Sequence, residues 1–336
     1  MALMRINTPY LPAEWVPQQA TLLAWPAAHT DWADQLEAVQ AEYRHLIQAI
    51  TQRQAVVLLV PSEAQVRQWR PLDTPHPVMP LVAPYNDTWC RDYGPITLLH
   101  TQSGHRVGLD FCFDGWGGQF DARLDNQVNL QLPTLPMLSD LTIQTHDWVL
   151  EGGAIEGNGG GALLVNWHCL RSRQPDWSRE DWTERLCAAL HVDQVVGIDL
   201  PPMTGDDTNG HIDTLLRFIG PHTLAVQRQA NGDRDQQLMA QITQLQDTLE
   251  RADGRSLELV SLPVAQNTHP QHPASYANFL FVNGACLVPA FNSPSDDQAA
   301  AILEAALPDH AIVQVPSVTL ISQSGSLHCA SMHLPA

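Results

Sequence analysis

Close to the C-terminus, Cys329 follows an apolar run at 317–322 and the small-residue turn Ser324-Gly-Ser326. Such a turn lets the backbone bend sharply and brings a side chain close to a ligand. A cysteine is most often a small buried apolar residue, so Cys329 by itself reads equally well as packing. Further back, Asp206-Asp-Thr-Asn-Gly-His-Ile-Asp213 runs into an apolar stretch. In extended chain, His211 and Asp213 point to one face, placing an imidazole and a carboxylate side by side. A solvated loop would carry the same residues. The block Asn86-Asp-Thr-Trp-Cys-Arg-Asp-Tyr-Gly-Pro95 puts Asp87, Asp92, Trp89, Arg91 and Tyr93 close together. Carboxylates beside an aromatic face seat a cation; an Arg91–Asp92 ion pair with Trp89 as a core anchor is the structural alternative. Glu151 ends an apolar strand just before the glycine-rich loop 152–161, where backbone can approach a ligand. A thiol, an imidazole and carboxylates on three strand ends suit nucleophilic attack on a positively charged carbon. Other chemistries lack their motifs. There is no serine elbow, no phosphate-binding glycine loop, and no cysteine or histidine spacing typical of zinc.

The elements that must position these residues alternate along the chain. Strands are expected at 21–25, 55–60, 96–99, 107–113, 148–151, 162–167, 195–200, 212–219, 223–227 and 311–315, and a strand-like run at 317–322. Helices are expected from Asp31, where Leu36, Val39, Tyr43, Leu46, Ile47 and Ile50 recur at helical spacing, at 63–69, at 179–191 behind a Ser178/Asp181 capping pair, around Leu238–Leu249, and at 295–307. The proline-rich stretch 71–84 is expected to be a loop or extended connector, and Trp116-Gly-Gly118 a turn. Asn283-Gly284 between apolar runs predicts a β-hairpin. A strand-strand-helix-strand unit recurs, and neither a linker nor a composition shift divides the chain. The expectation is one α/β domain over residues 1–336.

The chain has 336 residues, 44% apolar and 16% charged, which suits a well-buried globular protein. Its formal charge of −19 repels nucleic acid and anionic membranes and favours cationic ligands, although excess acid also serves solubility alone. Cys90, Cys112, Cys169, Cys187, Cys286 and Cys329 are scattered, which points to free thiols in a reducing compartment. The N-terminus shows no signal-peptide pattern and no run is long enough to span a membrane, so a cytoplasmic protein is expected.

Six blocks in order give the chain a recognisable signature: Asn86-Asp-Thr-Trp-Cys-Arg-Asp-Tyr-Gly-Pro95, Trp116-Gly-Gly118, Leu150-Glu-Gly-Gly153, Thr208-Asn-Gly-His-Ile-Asp213, Ala274-Ser-Tyr-Ala-Asn-Phe279 and Leu327-His-Cys329. With these the chain, from about Trp15 to its end, resembles the agmatine deiminase family of the guanidine-modifying superfamily. The resemblance implies a five-bladed α/β propeller, the pentein fold, around a central site. It implies Cys329 as nucleophile, His211 as general acid and base, Asp92 and Asp213 as guanidinium ligands, Glu151 as partner of the histidine, and Asp207 as receiver of the distal amine. Trp89 joins the substrate-binding set as the aromatic neighbour of Asp92. Two positions depart from the usual family pattern. Gln323-Ser-Gly-Ser326 replaces a Gly-Gly-Gly-Asn run, and Asp207 replaces a glutamate. Cys90 is read as packing.

The implied reaction is hydrolysis of agmatine to N-carbamoylputrescine and ammonia through a cysteine amidino-thioether, with no metal or organic cofactor. Deimination of another guanidine, such as free or peptidyl arginine, is the alternative. A catalytically silent guanidine- or polyamine-binding protein is a third reading. The expected partner is a small guanidine cation, with neither nucleic acid nor membrane, and a homo-oligomer is left open.

Overall fold

A computed structural model describes residues 8–69, 72–100, 104–203, 205–266, 268–269 and 272–336. Their strands form five sheets, and each sheet repeats one scheme, a central strand paired antiparallel on one side and parallel on the other. The second sheet joins Ile96–His100 antiparallel to Arg106–Cys112, which runs parallel to Leu141–Val149. The third uses Ile155–Gly157, Ala162–Asn166 and Gln194–Ile198. The fourth uses Leu216–Gly220, Thr223–Gln227 and Glu258–Leu262. The fifth uses Leu280–Val282, Ala285–Ala290 and Ala311–Pro316.

The first sheet borrows its antiparallel strand from the far end of the chain. Ser331–Pro335 pairs with Gln18–Ala24, with Ser331 opposite Leu23 and Met332 opposite Leu22. Gln18–Ala24 then runs parallel to Ala55–Val60. The last strand thus closes the ring.

Parallel pairs need a crossover, usually a helix, to return the chain. Leu36–Thr51 serves the first sheet and buries Val39, Tyr43, Leu46, Ile47 and Ile50 against Leu22, Leu23, Val57 and Leu59 in one apolar cluster. Arg179–Leu190 serves the third, and its Ser178/Asp181 capping box is formed, with His191 in the left-handed region at its end. The helices Gly232–Asp253 and Asp296–Ala306 serve the fourth and fifth sheets. In the second, 3₁₀ turns between Asp125 and Leu138 replace the long crossover helix among the described residues.

Several expected elements differ in detail. Val78–Val82 in the proline-rich connector is a strand. It lies at a sheet edge, where Pro80 can sit without breaking an interior ladder. The run at 212–219 divides into a 3₁₀ turn, Ile212–Thr214, and the strand Leu216–Gly220. Likewise 317–322 is not a strand: it contains most of the 3₁₀ turn Leu320–Gln323. The hairpin at Asn283-Gly284 is present, with Gly284 at a φ of +67°. Leu141–Val149 begins well before the expected 148, because Thr142, Gln144 and Thr145 mask its apolar alternation. Leu22, fully buried in the ring-closing sheet, is expected to carry a full core penalty. Leu22→Ala should cost about 2–5 kcal/mol, read as a lower urea midpoint at unchanged slope.

Candidate functional site

Each of the five sheets is preceded by a short irregular segment, and these segments converge. Asp92 lies just before Ile96–His100, Glu151 before Ile155–Gly157, and His211 and Asp213 before Leu216–Gly220. Asn278 stands before Leu280–Val282 and Cys329 before Ser331–Pro335. The end of a strand must turn sharply there, and non-regular backbone frees N–H groups for side chains. Gly153 N–H donates to Asp92 Oδ1 at 2.9 Å, and the N–H groups of Ser326 and Cys329 donate to Asn278 Oδ1 at 3.2 and 3.3 Å.

The structure therefore brings together Cys329, His211, Asp213, Asp92 and Glu151. His211 Nε2 lies 3.0 Å from Glu151 Oε2, and its Nδ1 is 3.6 Å from Asp92 Oδ1. That Nδ1 is buried and has no hydrogen-bond partner among the described residues, and the same holds for Asp213 Oδ1. Cys329 Sγ lies 3.5 Å from Asp213 Oδ2 and accepts from Asn278 Nδ2 at 3.1 Å. The extended-chain argument for His211 and Asp213 does not hold, since Asp213 lies in the 3₁₀ turn Ile212–Thr214 and His211 is the residue that caps it. Both still belong to the cluster around the cavity. The alternative pairing of Arg91 with Asp92 is absent: Arg91 turns away to Glu14 and His333.

A cavity of about 740 Å³ opens over this cluster. Asp92, His211 and Cys329 line it, together with Trp89, Trp116 and Asp207. Asp213 is not part of its wall and sits beneath the thiol. Asp207 is exposed at the rim, while Trp89 is buried. Gly325 packs on the Trp89 ring so closely that a Cβ would meet it at 2.6 Å. Ser324 takes the left-handed region at φ +66° and its hydroxyl donates to the Gly205 carbonyl. The departure at 323–326 thus still delivers a tight turn onto Trp89.

Burial and neighbouring charge set the ionisation. Burial drives Asp92 up to about 6, with Glu151 and Asp213 adding to the rise and His211 opposing it. Burial also pushes against the charged form of Glu151, but the His211 hydrogen bond and the Arg173 charge outweigh it and hold Glu151 below the usual range. Burial works against the His211 cation too, yet Asp92 and Glu151 lift it well above an ordinary histidine. Cys329 is raised well above a free thiol by burial and by the Asp213 and Asp92 charges. Both directions favour the protonated forms, an imidazolium at His211 and a thiol at Cys329.

Several contributors carried no assigned role in the sequence reading. Trp116 Nε1 donates to Asp92 Oδ2 at 2.9 Å, and Arg173 Nε to Glu151 Oε1 at 2.6 Å. Asn278 bridges Asp213, Cys329 and Ser326. Cys169 is buried beside His211. Asn278 had a detectable signal, the same position ahead of a first strand as the other site residues. Cys90 is fully buried and donates to the Leu22 and Ala330 carbonyls, as packing requires.

Among the described residues two clusters could in principle offer metal ligands, Glu151/Cys169/His211 and Glu14/His328/His333. Arg173 already neutralises Glu151, and Arg91 and Arg217 neutralise Glu14, so a cation would meet repulsion in both. The cavity floor is suited instead to a planar cation. It presents carboxylates, a sulfur and an acid in reach of one carbon.

The sequence model of the Porphyromonas-type peptidyl-arginine deiminases matches residues 10–335. An agmatine deiminase of Pseudomonas putida is 31% identical over 97% of this chain and 95% of its own. The chain belongs to the agmatine deiminase family. Another member, from Ectopseudomonas mendocina, is 30% identical with the same coverage. A C. jejuni agmatine deiminase solved with substrate bound, as a cysteine-to-serine variant, superposes with a TM-score of 0.88 at 28% identity, covering 99% of this chain and 98% of that one. The pentein fold expected from the sequence is the fold of these family structures.

Gly153 touches both sides of the site. A Cβ there would stand 2.5 Å from His211 Nδ1 and 2.9 Å from Asp92 Oδ1. Gly153→Ala is expected to lower kcat/KM about 100-fold by displacing these groups, with an unchanged circular dichroism spectrum; near-wild-type turnover would show that they are not aligned for reaction.

Proposed function

We propose that residues 1–336 form one catalytic domain that hydrolyses agmatine to N-carbamoylputrescine and ammonia. The observation that carries this reading is the meeting of Cys329, His211 and Asp92 in the wall of one cavity, with Glu151 in contact with His211 and Asp213 in contact with Cys329, in a chain of the agmatine deiminase family.

The guanidinium of the substrate stacks near Trp89 with its N–H groups toward Asp92 and Asp213, which localise its charge. Asp207 at the rim receives the distal ammonium. The bound cation offsets the two carboxylate charges that raise Cys329, and the thiol then releases its proton. The thiolate attacks the guanidinium carbon and forms a C–S bond. His211, held as an imidazolium by Glu151 and Asp92, protonates the departing nitrogen, and the C–N bond breaks to release ammonia. Neutral His211 next takes a proton from water, which adds to the amidino-thioether carbon. The C–S bond breaks, the thiolate leaves, and the ureido product departs. The ureido cation returns a proton to the Cys329 thiolate, and the proton first released by the thiol leaves with the ammonia, so guanidinium plus water gives a neutral urea plus ammonium.

Ammonia release should be strong with agmatine and weak with free arginine or an arginyl peptide, and Cys329→Ser should abolish it while leaving the thermal transition in place. Equal rates on arginine would overturn the substrate assignment, and substantial residual turnover in the serine variant would overturn the covalent route.

Asp92 predicts the pH response. Its carboxylate must be ionised to attract the cation, and in the free protein protonation occurs near pH 6. As pH falls below that value, kcat/KM should drop about tenfold per unit. The bound cation stabilises the carboxylate, so the matching limb in kcat should lie at lower pH. Coincident limbs would remove Asp92 from this role.

A further inference from the structure

Beneath the catalytic layer lies a second buried layer of charge that the reaction does not use. Glu14 pairs with Arg91 at 3.0 Å and with Arg217, and Arg217 Nε donates to Glu156 at 2.7 Å. His328 joins this layer to the one above. Its ring is fully buried, with Nδ1 2.7 Å from Asp213 Oδ2 and Nε2 2.9 and 3.1 Å from the two oxygens of Glu14.

The two ends of this bridge are not equivalent. Glu14 already has two arginines and does not need the imidazole for compensation. Asp213 has no arginine or lysine in contact among the described residues. Its Oδ2 takes the His328 contact and a longer one from Asn278 Nδ2, 3.2 Å, while Oδ1 has no partner. Both ring nitrogens face carboxylate oxygens, and the donor that reaches Asp213 is the Nδ1–H, at the shorter of these contacts. A carboxylate fixed through one oxygen keeps its plane and leaves the other oxygen for a ligand.

We propose that His328 is a positioning residue for the deimination reaction. Its Nδ1–H pins Asp213 Oδ2 so that Oδ1 is reserved for the substrate guanidinium beside the Cys329 sulfur. The inference rests on the deiminase reading above. It gives the histidine next to Cys329 a task distinct from that of His211, whose ring contacts Glu151 and Asp92.

The test uses two amides that reproduce different ring nitrogens. The amide nitrogen of asparagine can stand where Nδ1 stands, and that of glutamine where Nε2 stands. His328→Ala is expected to lower kcat/KM for agmatine about 100-fold, mainly through KM. His328→Asn should return to within about tenfold of wild type, because it restores the donor to Asp213. His328→Gln, which restores only the Glu14 contact, should stay near the alanine value. If alanine does not fold, the asparagine–glutamine contrast still decides. Glutamine equal to or better than asparagine would overturn the proposal, since the residue would then serve the Glu14 layer. Absence of agmatine turnover in the wild-type chain would overturn the deiminase reading itself, and this inference with it.

Discussion

Negative charge crowded where water cannot reach governs this molecule. Glu14, Asp92, Glu151, Glu156 and Asp213 converge near the centre of the ring, most of them fully buried. An isolated buried carboxylate loses several kcal/mol of solvation, so each must find a cation, a set of N–H donors or a proton. Arginine supplies the cation at three of them: Arg173 at Glu151, Arg217 at Glu156, and Arg91 with Arg217 at Glu14. The two carboxylates nearest the thiol are treated differently. Among the described residues, Asp92 receives the Trp116 and Gly153 N–H groups beside the His211 ring, and Asp213 receives His328, Asn278 and the Cys329 thiol. Neither has an arginine or lysine partner among the described residues, and in the proposed reaction a guanidinium completes them. Selectivity for a cation would then follow from what the fold leaves unpaired. The acidic surface adds long-range attraction and no geometry.

The same shortage bears on Cys329, the proposed nucleophile. A thiol between two carboxylates is a poor thiolate, and Cys329 is accordingly raised when the cavity holds no cation. Lowering it permanently would require a fixed positive charge at the sulfur, and that charge would compete with the substrate for Asp92 and Asp213. Letting the substrate bring the charge couples activation to binding. Cys90 and Cys286 show the contrast. They are equally buried but lie away from the cation position, so nothing in the reaction lowers them.

How much of this was legible in the sequence depends on the distance over which each feature is determined. The strands and crossover helices were readable where a single apolar period ran unbroken, as in Leu36–Ile50 or Ala55–Val60. They were lost where the pattern is edge-like, as at Val78–Val82 and Leu141–Val149. The 3₁₀ turns carrying Asp213 and preceding Cys329 were invisible, because the local residues are compatible with strand and only tertiary contacts decide. The candidate reactive groups that the structure brings together, Cys329, His211, Asp92, Asp213 and Glu151, all lie in blocks the sequence singles out. Their partners were not legible as such: Arg173 sits in the helix Trp167–Arg173, Trp116 in a turn, and Glu14 before the first long strand, each far in sequence from the group it serves. Asn278 marks the boundary. Its block was recognisable, but its role follows only from seeing that every sheet contributes the segment ahead of its first strand.

That recurrence also explains why the proposed nucleophile sits in the segment ahead of the ring-closing strand. The first sheet is incomplete until Ser331–Pro335 pairs with Gln18–Ala24, and Cys329 is in the segment leading into that strand. The same few residues therefore close the core and complete the site. Met332 and Leu334 are buried in the closing sheet, Arg91 N–H donates to the Cys329 carbonyl, and Asn278 orders the turn at Ser326 through its side-chain oxygen. Before closure, Asp92, Glu151 and Asp213 lack a shared enclosed space, and their charges are solvated at little cost. Ring closure removes that water, so the strain of crowded carboxylates arises only in the state that can relieve it by binding a cation. Folding and cation recognition are two consequences of one desolvation.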